Sequence, residues 1–180
     1  MAELLLGPLL RHVGASDATV WVETDGPCEV EVLGHVGRTF HVAGHHYALV
    51  EITGLEPGES YEYAVVLNGE QCWPDPASSF PASEIRTLEP DGRLTVAFGS
   101  CRAAAPHEEP YVLEREEHPL GRGVDALQAL AVRMRAQPPD QWPSLLIMLG
   151  DQVYADNAPP QTRAFIRARR STREPPGEEV

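Results

Sequence analysis

Six short segments in the first 88 residues alternate apolar and polar side chains, with turn residues between them about every ten positions. They are TVWVET (19–24), CEVEVLG (28–34), RTFHVAG (38–44), YALVEITGL (47–55), SYEYAVVLNG (60–69) and SEIRTL (83–88). In the first of them Val20 and Val22 face one way, and Trp21 and Glu23 the other. That is the period of a strand with one buried face. Strands this short and this regularly spaced predict a β-sandwich. His35, His41, His45 and His46 fall in the same region. Adjacent strand residues point to opposite faces, so His45 and His46 do not readily share an ion, and the four are read as surface or turn residues.

The most specific piece of this half is GLEPGESYEYAVVLNG (54–69). Pro57 and Gly58 suit a tight turn, and a Tyr-x-Tyr opens the next strand. The pattern resembles the fibronectin type III domain. That resemblance implies that Tyr61 or Tyr63 buries its ring and ties its hydroxyl to nearby backbone, with Trp21 as a core partner.

Texture changes after Trp73: three prolines precede it and fourteen follow. A Pro-rich connector (72–83) comes before the last alternating strand, and EPDG (89–92) follows it, placing a boundary near residue 90. Beyond it LTVAFGS (94–100) and SLLIMLG (144–150) are near-continuous apolar runs, as in strands buried on both faces. Between them Val124, Leu127, Leu130, Ala131 and Met134 recur at helical spacing, and Pro138 and Pro139 end that helix. Strand, helix, strand predicts a right-handed βαβ unit with parallel strands. A further helix is expected over 160–170, with Asp156 as a candidate cap.

Ligands of parallel sheets bind beyond the carboxyl ends of the strands. The first run ends in GSCR (99–102) and the second in GDQVYAD (150–156). Parallel neighbours lie about 4.8 Å apart, so Cys101 and Asp151 are expected on one rim. Gly99 and Gly150 permit sharp turns there. Asp151 supplies a hard anionic oxygen, Tyr154 a phenolate and Cys101 a thiolate. Together they suit an oxidised cation better than magnesium, which points to ferric iron. Such an iron with a second metal would activate water for attack on a phosphoryl group, and Arg102 would clamp a phosphate oxygen.

These residues carry a second resemblance. AFGSCR followed about fifty residues later by LGDQVYAD is similar to the opening of the alkaline phosphatase D (PhoD-like) family of calcineurin-like metallophosphoesterases. It implies hydrolysis of phosphomonoesters or phosphodiesters, with Cys101, Asp151 and Tyr154 as iron ligands and calcium as the companion metal. The implied fold is an α+β two-part chain. Residues 1–90 form a fibronectin III-like β-sandwich, and residues 91–180 begin an α/β metallophosphoesterase domain with its first βαβ unit. The family's later histidines and Asn or Asp ligands have no counterpart, since no histidine follows His118. The chain is therefore expected to be the amino-terminal portion of a longer enzyme, lacking the rest of its catalytic domain and nearly inactive alone. Two other readings stand beside this one: a fibronectin-like binding module with a non-catalytic tail, and Cys101 as a nucleophile with His107 or His118 as base.

Composition narrows partners and compartment. A net charge of −13 argues against a nucleic-acid or membrane surface. No run approaches the ~20 apolar residues of a membrane span. The start, MAELLLGPLLRHV, lacks a basic leader segment, and three cysteines are too few for a disulfide framework, so a cytoplasmic protein is expected. All fourteen basic residues are Arg, which reads as the codon bias of a GC-rich bacterial genome.

Overall fold

The structure is a computed structural model that describes residues 2–152, 154 and 160–169. The chain divides after Arg93 into two compact units.

In the first unit β1 (Leu4–Val13), β2 (Asp17–Thr24), β6 (His45–Thr53) and β5 (Phe40–Val42) make one antiparallel sheet in the order β1-β2-β6-β5. A second sheet has the order β4-β3-β8-β9, built from β3 (Glu29–Val32), β4 (His35–Arg38), β8 (Val65–Leu67) and β9 (Glu70–Trp73). β7 (Ser60–Glu62) pairs with β10 (Glu84–Arg86). The alternation works as the pattern requires: Val20, Val22, Val30, Val32, Val50, Ile52 and Val65 are almost wholly buried in one core to which both large sheets contribute. At about 25 cal/mol per Å² of apolar area, this core is the main stabilising element of the unit.

The two tyrosines of the Tyr-x-Tyr take different places. Tyr63 is buried, and its burial pushes the phenol up from its ordinary pKa, whereas the Tyr61 hydroxyl accepts from Glu56 N–H at 2.8 Å. Trp21 is not a core residue. It shares the outward face with Tyr47, its ring 5.6 Å away and stacked. β1 was not expected as a strand, because Gly7-Pro8 interrupts its apolar run. It lies on the sheet edge, where a missing N–H is tolerated, and its register shifts between Leu6 and Leu9 absorb the break. At Gly7 (φ 94) a Cβ would sit 2.8 Å from the Trp21 carbonyl oxygen, so only glycine lets the strands approach there.

The second unit holds β11 (Val96–Gly99), α1 (Ala126–Arg135), β12 (Leu145–Met148) and α2 (Pro160–Arg169). β11 and β12 pair in parallel, Val96 opposite Leu145 through Gly99 opposite Met148.

The expected α+β architecture, a fibronectin III-like β-sandwich followed by a metallophosphoesterase βαβ unit, is corrected by these observations. The described residues form a β-rich structure of twelve strands in four sheets, and all but one of those sheets are antiparallel. The exception is a ladder of two four-residue strands. All of β12 is exposed, and α1 buries none of its own residues. A parallel sheet is normally stable with helices covering both faces, and this pair is not so covered. Among the described residues no helix is long and apolar enough to cross a membrane. Asp156, the expected helix cap, and Arg170 lie outside the described residues.

Candidate functional site at the ends of the parallel strands

Pairing between β11 and β12 continues past their last ladder residues. Leu149 N–H donates to Gly99 O at 2.9 Å, Cys101 N–H to Gly150 O at 3.2 Å and Arg102 N–H to Asp151 O at 2.8 Å. Gln152, which sequence reasoning passed over, adds a side-chain amide bond to Gly150 O at 2.6 Å. The two exits are thus held side by side by their backbones.

That stapling brings the Cys101 Sγ within 3.7 Å of Asp151 Oδ2. The Tyr154 hydroxyl faces both groups, and its pKa is pushed up to about 12. The hydrogen bond to Cys101 is the leading cause, followed by desolvation and the negative charge of Asp151. A proton is retained on the phenol because it bonds to the Cys101 sulfur and faces the Asp151 carboxylate. All three side chains are solvent-exposed.

Cys101 (φ 56) and Asp151 (φ 49) both adopt the left-handed conformation. For a non-glycine residue this costs on the order of 1 kcal/mol or more, and such strain collects at functional sites. No sequence signal announced it. Gly150 (φ 145) makes the turn before Asp151, while Gly99 is an ordinary strand residue.

Arg102 takes a different partner from the phosphate oxygen expected for it. Its Nε and Nη2 donate to Asp125 at 2.9 and 2.7 Å, a bidentate pair. Asp125 is 3% exposed and also caps α1, accepting from Leu127 N–H at 3.0 Å and Gln128 N–H at 3.4 Å. The hydrogen bond from Arg102 holds its carboxyl below the usual aspartate range. Asp125 was missed because it reads as an unremarkable cap until Arg102 is folded against it. An open cavity of about 530 Å³ lies beside the pair, lined by Ala105, Gln128 and Thr162 among others, and does not include Cys101, Asp151 or Tyr154.

The Cys101 thiol contacts the Ser100 hydroxyl at 3.4 Å, the Asp151 carboxylate and the Tyr154 phenol. His118 Nδ1 instead accepts from Leu120 N–H. Nothing in this arrangement makes a cysteine–histidine pair. Among the described residues no three His, Cys, Asp or Glu side chains gather into a metal cluster. The strand-end group reaches three donors only by counting a phenol.

The front-half histidines point as adjacent strand residues should. His45 Nδ1 contacts Glu23 Oε1 at 2.6 Å on one face. On the other, His46 lies opposite His41, their rings 5.1 Å apart.

Comparison with known proteins bears on the first unit alone. Residues 1–85 match the model of a domain of unknown function, DUF7800. No curated protein and no solved structure matches the chain. The matched segment ends before the strand-end cluster.

Proposed function

We propose that Cys101, Asp151 and Tyr154 hold ferric iron in a centre that hydrolyses phosphate esters, monoesters or diesters. The observation that carries the reading is a thiol, a carboxylate and a phenol converging at two strained strand ends, with Arg102 turned away onto Asp125. A group of potential anions suits a highly charged metal, and thiolate and phenolate favour an oxidised one. The reaction class comes from the resemblance of AFGSCR and LGDQVYAD to the PhoD-like family. When bound, iron with a second metal would activate water and screen the phosphoryl group.

The chain's own part is to position the donors. Backbone bonds between the two exits fix the distance from Cys101 to Asp151, and Tyr154 releases its proton as the cation arrives. Calcium takes six to eight oxygen ligands, whereas the cluster offers one carboxylate and one phenol, so no step is assigned to it. The reading favours a reducing cytoplasm, since Cys28, Cys72 and Cys101 are all free.

Adding ferric iron to the full chain tests this. The expected result is one bound iron with visible thiolate and phenolate charge-transfer bands. Tyr154→Phe removes the phenolate band, and Asp151→Ala loses the metal. Inorganic phosphate is expected to shift the bands. Failure of iron to stay bound through gel filtration would exclude the centre.

A further inference from the structure

The outward face of the sheet β1-β2-β6-β5 departs from what a one-sided antiparallel sheet should show. Such a sheet keeps its solvent face polar. Here Leu9, Trp21 and Leu49 stand opposite one another across three strands. The adjacent row joins Leu6, Glu23, Tyr47 and Phe40. Leu6 is 57% exposed, Leu49 48%, Phe40 46% and Leu9 41%. One row further along, His12, Thr19 and Glu51 restore the polar pattern, so the apolar patch is bounded at that end.

We propose that this face is the contact surface of a homodimer, with a second copy of the chain packed on it sheet to sheet about a twofold axis.

Charge selects the occupant. The chain carries −13 overall, which would favour a basic partner. The patch itself offers such a partner no free anion. Glu23, its one acidic group, is 7% exposed and bonded to His45 at 2.6 Å. What remains is apolar and internally neutralised, a face that recognises another like itself. A twofold contact asks only for that self-complementarity.

Area points the same way. The six apolar side chains expose roughly 500 Å² per copy, at the upper end of what monomers leave open. Two copies would bury about 1,000 Å² from these groups alone, near the threshold of a specific interface, and the polar rim would add to it. Aromatic groups at the centre are the kind that dominate binding energy. The affinity expected of such a face is micromolar.

Analytical ultracentrifugation of the full chain at micromolar concentrations is the test. The wild type is expected at twice the 19.7 kDa of one chain. Leu49→Arg and Phe40→Glu each place two unpaired charges in a twofold interface. Each is expected to weaken dimerisation by tenfold or more with β-sheet circular dichroism unchanged. Both positions are exposed, and Phe40 lies on the short edge strand β5, so it serves if Leu49→Arg perturbs folding. A wild type that stays monomeric, or a dimer that both substitutions leave intact, would overturn the proposal.

Discussion

Removing the Asp125 carboxylate should loosen the second unit far more than an ordinary cap deletion. In Asp125→Ala two losses combine. The cap bonds to Leu127 and Gln128 contribute about 1 kcal/mol. The bidentate contact with Arg102 is the larger part, because its deletion leaves a guanidinium without its partner. Breaking a buried pair in this way costs about 3–5 kcal/mol. The Arg102 side chain is 27% exposed, so water relieves part of the penalty and about 2–3 kcal/mol remains. The sum is roughly 3–4 kcal/mol, or about a hundred- to thousandfold faster amide exchange across α1. Asp125→Asn keeps the cap acceptor and loses only the charge, so about half that effect is expected. Adding Arg102→Leu to Asp125→Ala should recover about 2 kcal/mol, since the orphaned cation is then gone. Native-state hydrogen exchange of the peptide 126–135, followed by mass spectrometry, reads all three. Exchange in Asp125→Ala within tenfold of wild type, or no recovery in the double variant, would show that the pair does not anchor the helix.

Other expectations concern the strained turn, the phenol, acid and the core. Because Asp151 sits at φ 49, Asp151→Gly should be about 1 kcal/mol more stable than Asp151→Ala in urea unfolding, though both lose iron. Ultraviolet titration of the metal-free chain should find Tyr154 ionising near 12, assigned by its loss in Tyr154→Phe, and Cys101→Ala should bring it back toward 10. Asp125 has its folded pKa lowered, so its stabilisation is full above the unfolded value of about 3.9 and fades as pH falls through the folded one. Acid unfolding of the second unit should therefore become less steep in Asp125→Asn. Ile52→Ala, at a fully buried position, should cost about 2–5 kcal/mol in unfolding of the first unit, seen by circular dichroism.

Legibility differed by element for physical reasons. The strands of residues 17–24, 45–53 and 96–99 announced themselves, because a side chain on a pleated ribbon must alternate or be wholly apolar. β1 stayed hidden since glycine and proline read locally as breakers, and only its edge position with a shifted register makes them acceptable. Trp21 went to the wrong face for a similar reason. Alternation told Val20 from Trp21, but not that an aromatic could remain outside the core. The second half misled more seriously, as continuous apolar runs suggested a fully covered sheet where a largely exposed two-stranded ladder stands. The contact between Arg102 and Asp125 spans residues whose roles look unrelated along the chain.

What the sequence determined by itself was local. Period fixed the strands, prolines bounded the helix near Pro138, and the order of runs brought the ends holding Cys101 and Asp151 to one rim. Tertiary structure alone decided three things: the partner of Arg102, the left-handed turns at Cys101 and Asp151, and the solvent face taken by Trp21. Periodicity depends on the geometry of a single strand or helix. Partner choice, backbone strain and exposure depend on which distant segments arrive next to it.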